Sequence, residues 1–241
     1  MNAYLIIAKR EVNAFFDSLT AYVLITVFLG LSGFFTWIYG SDVFFVGQAS
    51  LQSFFAVAYW SLFFFIPALT MRSIAEEKRS GTLEMILSKP VSDFQLVFGK
   101  FLAVFELIVV ALLFTLPYYV TVAFIGPVDH GAVLCGYFGM LLMSMVLISI
   151  GIFTSSLTSN QIIAFLLALF IGVFFLIIFD VLAANFTGWL GALLSYLSLS
   201  THYDSMARGV IDSRDVIYFL SLTFLFLFLS TMVLSKRNLV E

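Results

Sequence analysis

MRSIAEEKRSGTLEMILSKP, residues 71–90, is a run of charge set between two long apolar stretches. Only 10% of the 241 residues are charged, whereas 62% are hydrophobic. The charged side chains of this run are Arg72, Glu76, Glu77, Lys78, Arg79, Glu84 and Lys89. In so apolar a chain, a run of this kind indicates a segment that lies in water rather than in hydrocarbon.

The composition itself predicts an all-α integral membrane protein. Soluble domains are about 45–50% apolar, but this chain has a mean hydropathy of +1.12. A hydrocarbon core of about 30 Å requires about 20 apolar residues in a helix. Because lipid-exposed segments must satisfy their own backbone hydrogen bonds, we expect every span to be helical. Six spans are predicted, at about residues 21–39, 54–71, 101–124, 133–153, 162–182 and 216–234.

The positions of lysine and arginine predict the orientation of these spans. With the N-terminus in the cytoplasm, all but two of the eleven basic residues lie on the cytoplasmic side, and the exceptions are Arg208 and Arg214. The positive-inside rule therefore places both termini and residues 71–90 in the cytoplasm.

Three segments outside the spans have patterns of their own. Residues 2–16 alternate apolar and polar faces at helical spacing, with Leu5, Ala8, Val12 and Phe15 on the apolar face, which predicts a helix along the membrane surface. Residues 183–200 are apolar but interrupted by glycine, and we interpret them as two half-length helices entering the outer leaflet, with an interfacial loop as the alternative. In residues 201–215, Thr201 is expected to cap a short helix and Asp212 the last span.

The sequence contains no pattern typical of an enzyme site. His130 and His202 lie in different loops without metal-ligand spacing, and such lone histidines are expected at the surface. Gly99 and Lys100 do not form a phosphate-binding loop, because Phe101 follows where serine or threonine is required. We therefore predict no catalytic, cofactor-binding or metal-binding residue. The small net charge of -3, without a basic block, also gives no indication of nucleic acid.

Two acidic residues lie within predicted spans. An ionisable group in a membrane is a functional candidate because its insertion costs roughly 2.5–3.5 kcal/mol at a helix centre. Glu106 is expected in the cytoplasmic half of the third span, where a proton-carrying role and a structural role are equally supported. Asp180 is expected near the outer interface, where a structural role is favoured.

The charged run has the pattern of a docking element. After a turn at Gly81, residues 82–88 predict a two-turn helix with Leu83, Ile86 and Leu87 on one face. Pro90 ends this helix, and Ser92 with Gln95 forms a capping box for the third span. Topology alone would require the basic residues, but not the acidic ones or the apolar face. An apolar face flanked by mixed charge suits a groove on a cytoplasmic partner.

These residues also carry a family resemblance that covers essentially the whole chain. MRSIAEEKRSGTLEMILSKPVSDFQLVFGK, residues 71–100, resembles the motif of ABC-2 type transporter permeases. Residues 155–164 resemble the turn that opens the fifth span in that family, and residues 8–18 resemble its N-terminal elbow helix. Residues 202–221 are similar to the gliding-motility ABC permeases of Bacteroidota, with the permease of nitrous oxide reductase maturation as a relative. Ser159 departs from the pattern, where a glutamate is expected.

The resemblance implies a single permease domain over residues 1–241, with the ABC-2, type V exporter-like fold. Two such subunits, alike or different, would pair in a bacterial inner membrane, and a separate ABC ATPase dimer would bind ATP and Mg²⁺. A coupling helix at about residues 82–88 would dock on the ATPase. Its apolar residues would supply a buried anchor, and the charged residues would fix the register. The implied coupling residues are Glu76, Glu77, Lys78, Arg79, Gly81, Thr82, Leu83, Glu84, Ile86 and Leu87.

The implied function is export, or mechanical signalling, driven by the partner ATPase and associated with gliding motility. In that family a second membrane subunit carries a large periplasmic part. The alternatives are a permease for the copper site of nitrous oxide reductase, an ATP-independent secondary transporter that uses Glu106, and a purely structural membrane anchor. The sequence does not specify a substrate.

Overall fold

The computed structural model describes residues 2–39, 50–87 and 90–236. Within those residues the regular elements are all helical. The helices are α1 (Ala3–Asp17), α2 (Thr20–Trp37), α3 (Gln52–Thr70), α4 (Ala75–Ser80), α5 (Thr82–Leu87), α6 (Asp93–Leu113), α7 (Leu116–Ile125), α8 (His130–Leu157), α9 (Gln161–Val173), α10 (Phe179–Asn185), α11 (Trp189–Leu197), α12 (Leu199–Ala207) and α13 (Ser213–Ser235), with a π-helical turn at Phe174–Ile178 between α9 and α10.

The prediction of six membrane spans is confirmed within the described part of the chain. The helical runs long and apolar enough to cross a membrane are Thr20–Trp37, Gln52–Ser80, Asp93–Ile125, His130–Leu157, Gln161–Asn185 and Ser213–Ser235. The third run is interrupted between α6 and α7, where Pro117 lies in the first turn of α7. Proline is tolerated there because the first amides of a helix have no intrahelical acceptor.

The helix α8 forms the centre of the bundle. It packs against α3, α6, α9, α12 and α13. The helices α2 and α9–α10 are peripheral, since only 28% and 22% of the residues in an 18-residue apolar stretch of each are buried. Much of their surface is therefore left to contact lipid or another subunit.

We call the end of the bundle that carries α1, α4 and α5 the charged end, and the other the opposite end. At the charged end, α1 packs against α6 and buries Ile7, Ala8 and Phe15. The expected apolar face of α1 is correct for Ala8 and Phe15, but Leu5 is 41% exposed. The face shifts toward Ile7 because α1 approaches α6 at Gly99, where an added Cβ would lie 2.8 Å from the Tyr4 carbonyl oxygen. The placement of α1 along a membrane surface stays a prediction.

At the opposite end, two short helices follow the fifth span. Within residues 183–200 lie the end of α10, the helix α11 and the first residues of α12, and their depth in the outer leaflet stays a prediction. Ser198, rather than Thr201, caps α12, so the expected cap is wrong. The reason is that α12 starts at Leu199, two residues earlier than its polar residues suggest. Asp212 caps α13 as predicted, accepting a hydrogen bond from the Arg214 amide at 2.9 Å.

His202 joins these short helices to the last span. The expectation of a surface histidine is wrong, because α12 folds back on α13 and leaves His202 only 6% exposed. Its Nδ1 lies 2.6 Å from Asp215 Oδ1, and its Nε2 lies 2.9 Å from the Tyr196 carbonyl oxygen. The ring also stacks on Tyr218, with centroids 4.0 Å apart. The pair therefore connects α11, α12 and α13.

We predict that Gly151→Ala lowers the thermal stability of the purified protein. A Cβ at Gly151 would overlap the hydroxyl of Thr70, which is fully buried between α3 and α8. Such overpacking typically costs about 1–3 kcal/mol. Gly30→Ala in α2 is the matched control, since nothing lies within 4 Å of its added Cβ. A melting temperature for Gly151→Ala equal to that of the control would contradict the close approach of α3 and α8.

We also predict that the His202 and Asp215 substitutions are strongly non-additive. The buried Asp215 carboxylate already has one oxygen, Oδ2, without a hydrogen-bond partner among the described residues. His202→Leu would also remove the imidazole partner of the other oxygen, Oδ1. Leaving a buried polar group without its hydrogen-bond partner costs about 1–3 kcal/mol, and more for a carboxylate. The double variant His202→Leu with Asp215→Leu should unfold at a higher temperature than His202→Leu alone. Additive losses in a double-mutant cycle would show that the pair is not coupled.

Candidate functional site

The charged run folds into two short helices at the charged end. The helices α4 and α5 are separated by Gly81, which has a φ of 71° and lies in the left-handed region. A residue with a Cβ pays roughly 1–2 kcal/mol in that conformation, so glycine makes the turn possible. Residues 88 and 89 lie outside the described residues, and the predicted end of the coupling helix with Lys89 lies there. The capping box of Ser92 and Gln95 that begins α6 is confirmed.

The start of α4 is held by the end of α8. Ser155 Oγ accepts hydrogen bonds from the amides of Ile74 and Ala75, both at 3.0 Å, and donates to the Met71 carbonyl at 3.0 Å. The first amides of a helix lack intrahelical acceptors, and here a serine from a distant helix supplies one. Lys78 adds a second link by donating a hydrogen bond from Nζ to the Ser156 carbonyl oxygen. The fourth span and α4 are therefore joined at two points.

A buried lysine joins α4 to two further helices. The side chain of Lys100, in the first part of α6, is 2% exposed. Its Nζ lies 2.7 Å from Glu77 Oε1 in α4 and 3.4 Å from Glu11 Oε1 in α1. Arg10 completes the group, at 2.6 Å from Glu11 and 3.5 Å from Glu77. We call Arg10, Glu11, Glu77 and Lys100 the Lys100 network.

The charged neighbours of Glu11 in the Lys100 network favour its ionised form. Burial by itself would raise the pKa of the Glu11 carboxyl, but Lys100 and Arg10 more than offset this and hold the pKa below its usual range. Isolated buried charges are expensive, whereas a buried ammonium between two carboxylates is compensated. The Gly99-Lys100 pair is thus explained without any phosphate: Gly99 lets α1 approach α6, and Lys100 binds two acids.

A further contact reaches the first span. Arg72 Nη2 donates a hydrogen bond to Thr20 Oγ1 at 2.6 Å, which links the turn before α4 to the start of α2. Together with the Ser155 contacts and the Lys100 network, this ties α4 to α1, α2, α6 and α8. A displacement of α4 must therefore move several helices or break buried polar contacts.

The structure divides the predicted coupling residues into two groups. Glu77 and Lys78 bind the chain's own helices, so they are not open for a partner as expected. Leu83 is 5% exposed and belongs to the core, and Ile86 is partly buried against that core. The expectation of an open apolar face is therefore wrong at Leu83. The structure describes the backbone of Leu87 but not its side chain.

The other group faces outward. Sequence periodicity missed Met85, which is 69% exposed although it lies in the same short helix as Leu83. Met85 could have been identified from the sequence, because helical spacing places it on the side of the predicted helix opposite Leu83, Ile86 and Leu87. The outward-facing residues of α4, α5 and the turn between them are Glu76, Arg79, Ser80, Gly81, Thr82, Glu84 and Met85.

Glu106 lies apart from this site. It is exposed on the outer face of α6, whereas Lys100 in the same helix is buried. If Glu106 carried protons, they would have to move along the outer surface of α6, between this chain and lipid or a second molecule.

We predict that Lys100→Met lowers the free energy of unfolding by about 3–5 kcal/mol, because it leaves two acids facing each other without the ammonium. Lys9→Met is the matched control: Lys9 lies in α1 but is exposed, and such surface changes usually stay within about 0.5 kcal/mol. Thermal unfolding of the purified variants measures both. A Lys100→Met protein as stable as Lys9→Met would contradict the role assigned to the Lys100 network.

Comparison with known proteins agrees with this architecture. A search of the curated proteins finds no match to the chain. Residues 39–235, most of the chain and all of the charged run, match the model of the family described as "ABC-2 family transporter protein". The chain therefore belongs to the ABC-2 transporter family and is a multi-pass transmembrane permease subunit.

Proposed function

We propose that α4 and α5 form the surface through which a separate ABC ATPase drives this permease subunit. The observation that carries the proposal is the division of the charged run into an inner and an outer face. The inner face contacts α1, α2, α6 and α8 through Arg72, Glu77 and Lys78. The outer face presents Glu76, Arg79, Glu84 and Met85 to the surroundings.

This arrangement supports transmission of movement. An ATPase that closes on binding ATP and Mg²⁺ would push on the outer face of α4 and α5. The push passes to α8 through Ser155 and to α6 through Lys100, since both contacts are short and buried. The membrane helices would then shift between two arrangements as the ATPase opens and closes. ATP and Mg²⁺ are bound by the ATPase in this proposal.

The charges of the outer face suit a protein partner. Acidic and basic side chains alternate there, which favours selection of one partner and one register more than raw affinity. The loop between α8 and α9 offers no substitute, because Asn160 caps α9 at 2.9 Å from the Ile162 amide and Ser159 carries no charge. The contact with the ATPase would therefore depend on α4 and α5.

The proposed assembly contains two permease subunits, each a single domain over residues 1–241. The large exposed surfaces of α2 and α9–α10 leave room for a second subunit as well as for lipid. The positive-inside pattern supports a bacterial inner membrane location with both termini in the cytoplasm. The resemblance of residues 202–221 supports a role in gliding motility, by export or by a mechanical signal, with a partner subunit that carries a large periplasmic part.

We predict that reversing the outer charges strongly weakens ATPase binding. The tagged chain, purified from its native membranes, should recover a protein with a phosphate-binding loop, identified by mass spectrometry. Arg79→Glu combined with Glu84→Arg should lower that recovery by about tenfold or more, since like charges would face each other across the interface. Lys9→Glu, an exposed charge change at the same end, is the control and should have no effect.

Two outcomes would contradict the coupling surface: no ATPase with the unaltered chain, or full recovery with the double variant. Leu83→Asp is a poor test of docking because Leu83 is buried, so a charge there is expected to lower the yield of folded protein.

A further inference from the structure

A cleft of about 360 Å³ opens at the opposite end of the bundle, far from α4 and α5. Three separate parts of the chain form it: the first half of α3, the segment from the π-helical turn into α10, and the helix α12. Its polar and aromatic lining consists of Tyr59, Trp60, Asp180, Ser200, Tyr203 and Asp204. We call it the acid–aromatic cleft.

The two acids of the cleft lack a cationic partner of their own. Neither Asp180 nor Asp204 forms a salt bridge with any residue that the structure describes. Arg208, four residues after Asp204, donates a hydrogen bond from Nε to the Asp204 backbone carbonyl at 3.1 Å rather than to its carboxylate. Partial burial and the negative charge of Asp180 raise the pKa of Asp204, although Arg208 opposes this shift. Both acids line the same cleft, so their negative charges repel each other, and a bound cation would relieve that repulsion.

Aromatic rings form the wall beside these acids. The rings of Tyr59 and Tyr203 have centroids 5.0 Å apart, and those of Tyr59 and Trp60 are 5.4 Å apart. Ring faces attract cations, and tryptophan and tyrosine are the strongest side chains for this purpose. A lining rich in aromatic side chains favours an organic cation over a strongly hydrated metal ion.

A buried hydroxyl adds an independent indication of a ligand. Tyr203 lines the cleft and is 4% exposed, but its hydroxyl has no hydrogen-bond partner among the described residues. An unpaired buried hydroxyl costs about 1–3 kcal/mol, and a ligand oxygen would satisfy it. The ligand is thus expected to carry an oxygen near its positive charge.

The backbone before Asp180 is also unusual. Phe174–Ile178 form a π-helical turn, which ends two residues before Asp180. A one-residue insertion rotates the following residues by about 100° around the helix axis. Such turns are uncommon and occur frequently at functional sites. Here the turn sets the direction of the Asp180 side chain, which points toward α12 and accepts a hydrogen bond from Thr201 Oγ1 at 3.5 Å.

We propose that the acid–aromatic cleft binds a small organic cation, a quaternary ammonium or protonated amine with an oxygen close to the charge. Asp180 and Asp204 balance the charge, the rings of Tyr59, Trp60 and Tyr203 contact the ammonium group, and the Tyr203 hydroxyl bonds the ligand oxygen. This site goes beyond the proposed function and does not depend on ATPase docking. The cation could come from solution or from the headgroup of a lipid, which have the same chemistry.

Radiolabelled choline and ethanolamine are the probes for this site. The full chain is placed in nanodiscs made of phosphatidylglycerol alone, which contains no ammonium group. We expect saturable binding of at least one probe that unlabelled probe displaces. The neutral analogue 3,3-dimethyl-1-butanol, which has the shape of choline without its charge, should not displace it.

Substitutions test the assigned residues. Asp180→Asn or Asp204→Asn should each weaken binding by about threefold to tenfold, and the double variant should show no saturable binding. The double variant should fold normally, because it removes a repulsion, and its melting temperature checks this. Asp212→Asn is the matched control: it removes a carboxylate at the same end but keeps a residue that can cap α13.

The membrane composition identifies the source of the cation. Phosphatidylcholine or phosphatidylethanolamine added to the nanodiscs should compete with the probe if the headgroup is the ligand, and should leave the affinity unchanged if the ligand is soluble. The proposal is overturned by no saturable binding of either probe, by equal displacement with the neutral analogue, or by full binding in the folded double variant.

Discussion

A single buried ammonium group holds the charged end of this protein together. Lys100 Nζ has almost no contact with water, so its charge must be balanced by side chains. Glu77 and Glu11 provide that balance from two other helices. If either helix moved away alone, the buried Lys100 would keep only one of its two carboxylate partners. The position of α4 relative to the membrane helices is therefore fixed by the cost of separating these charges.

This constraint explains why so much charge is concentrated in one segment of an apolar chain. Some of it, including Glu77 and Lys78, is used inside the molecule to attach α4 to α6 and α8. The remainder, including Arg79 and Glu84, faces outward. An element that is tightly attached on one side and charged on the other is suited to pass movement from a water-soluble partner to helices in a membrane.

The opposite end follows a related principle with different residues. Short helices rather than long ones meet there, and the buried His202–Asp215 pair joins α12 to α13. His202 and Asp215 are buried and contact each other, whereas Asp180 and Asp204 line a cleft together with aromatic side chains. Each end of the bundle thus combines charges that stabilise the fold with charges that remain available to another molecule.

The sequence by itself determined the features that depend on neighbouring residues. Six spans followed from the length of apolar runs, and the capping box of Ser92 and Gln95 from a contact across three residues. Only the tertiary structure decided that Leu83 is covered and that Glu77 binds Lys100. Helical periodicity identifies an apolar face, but it cannot show what lies against that face. Pairs such as His202 with Asp215 arise only when helices distant in the chain pack together, because packing brings their side chains within reach.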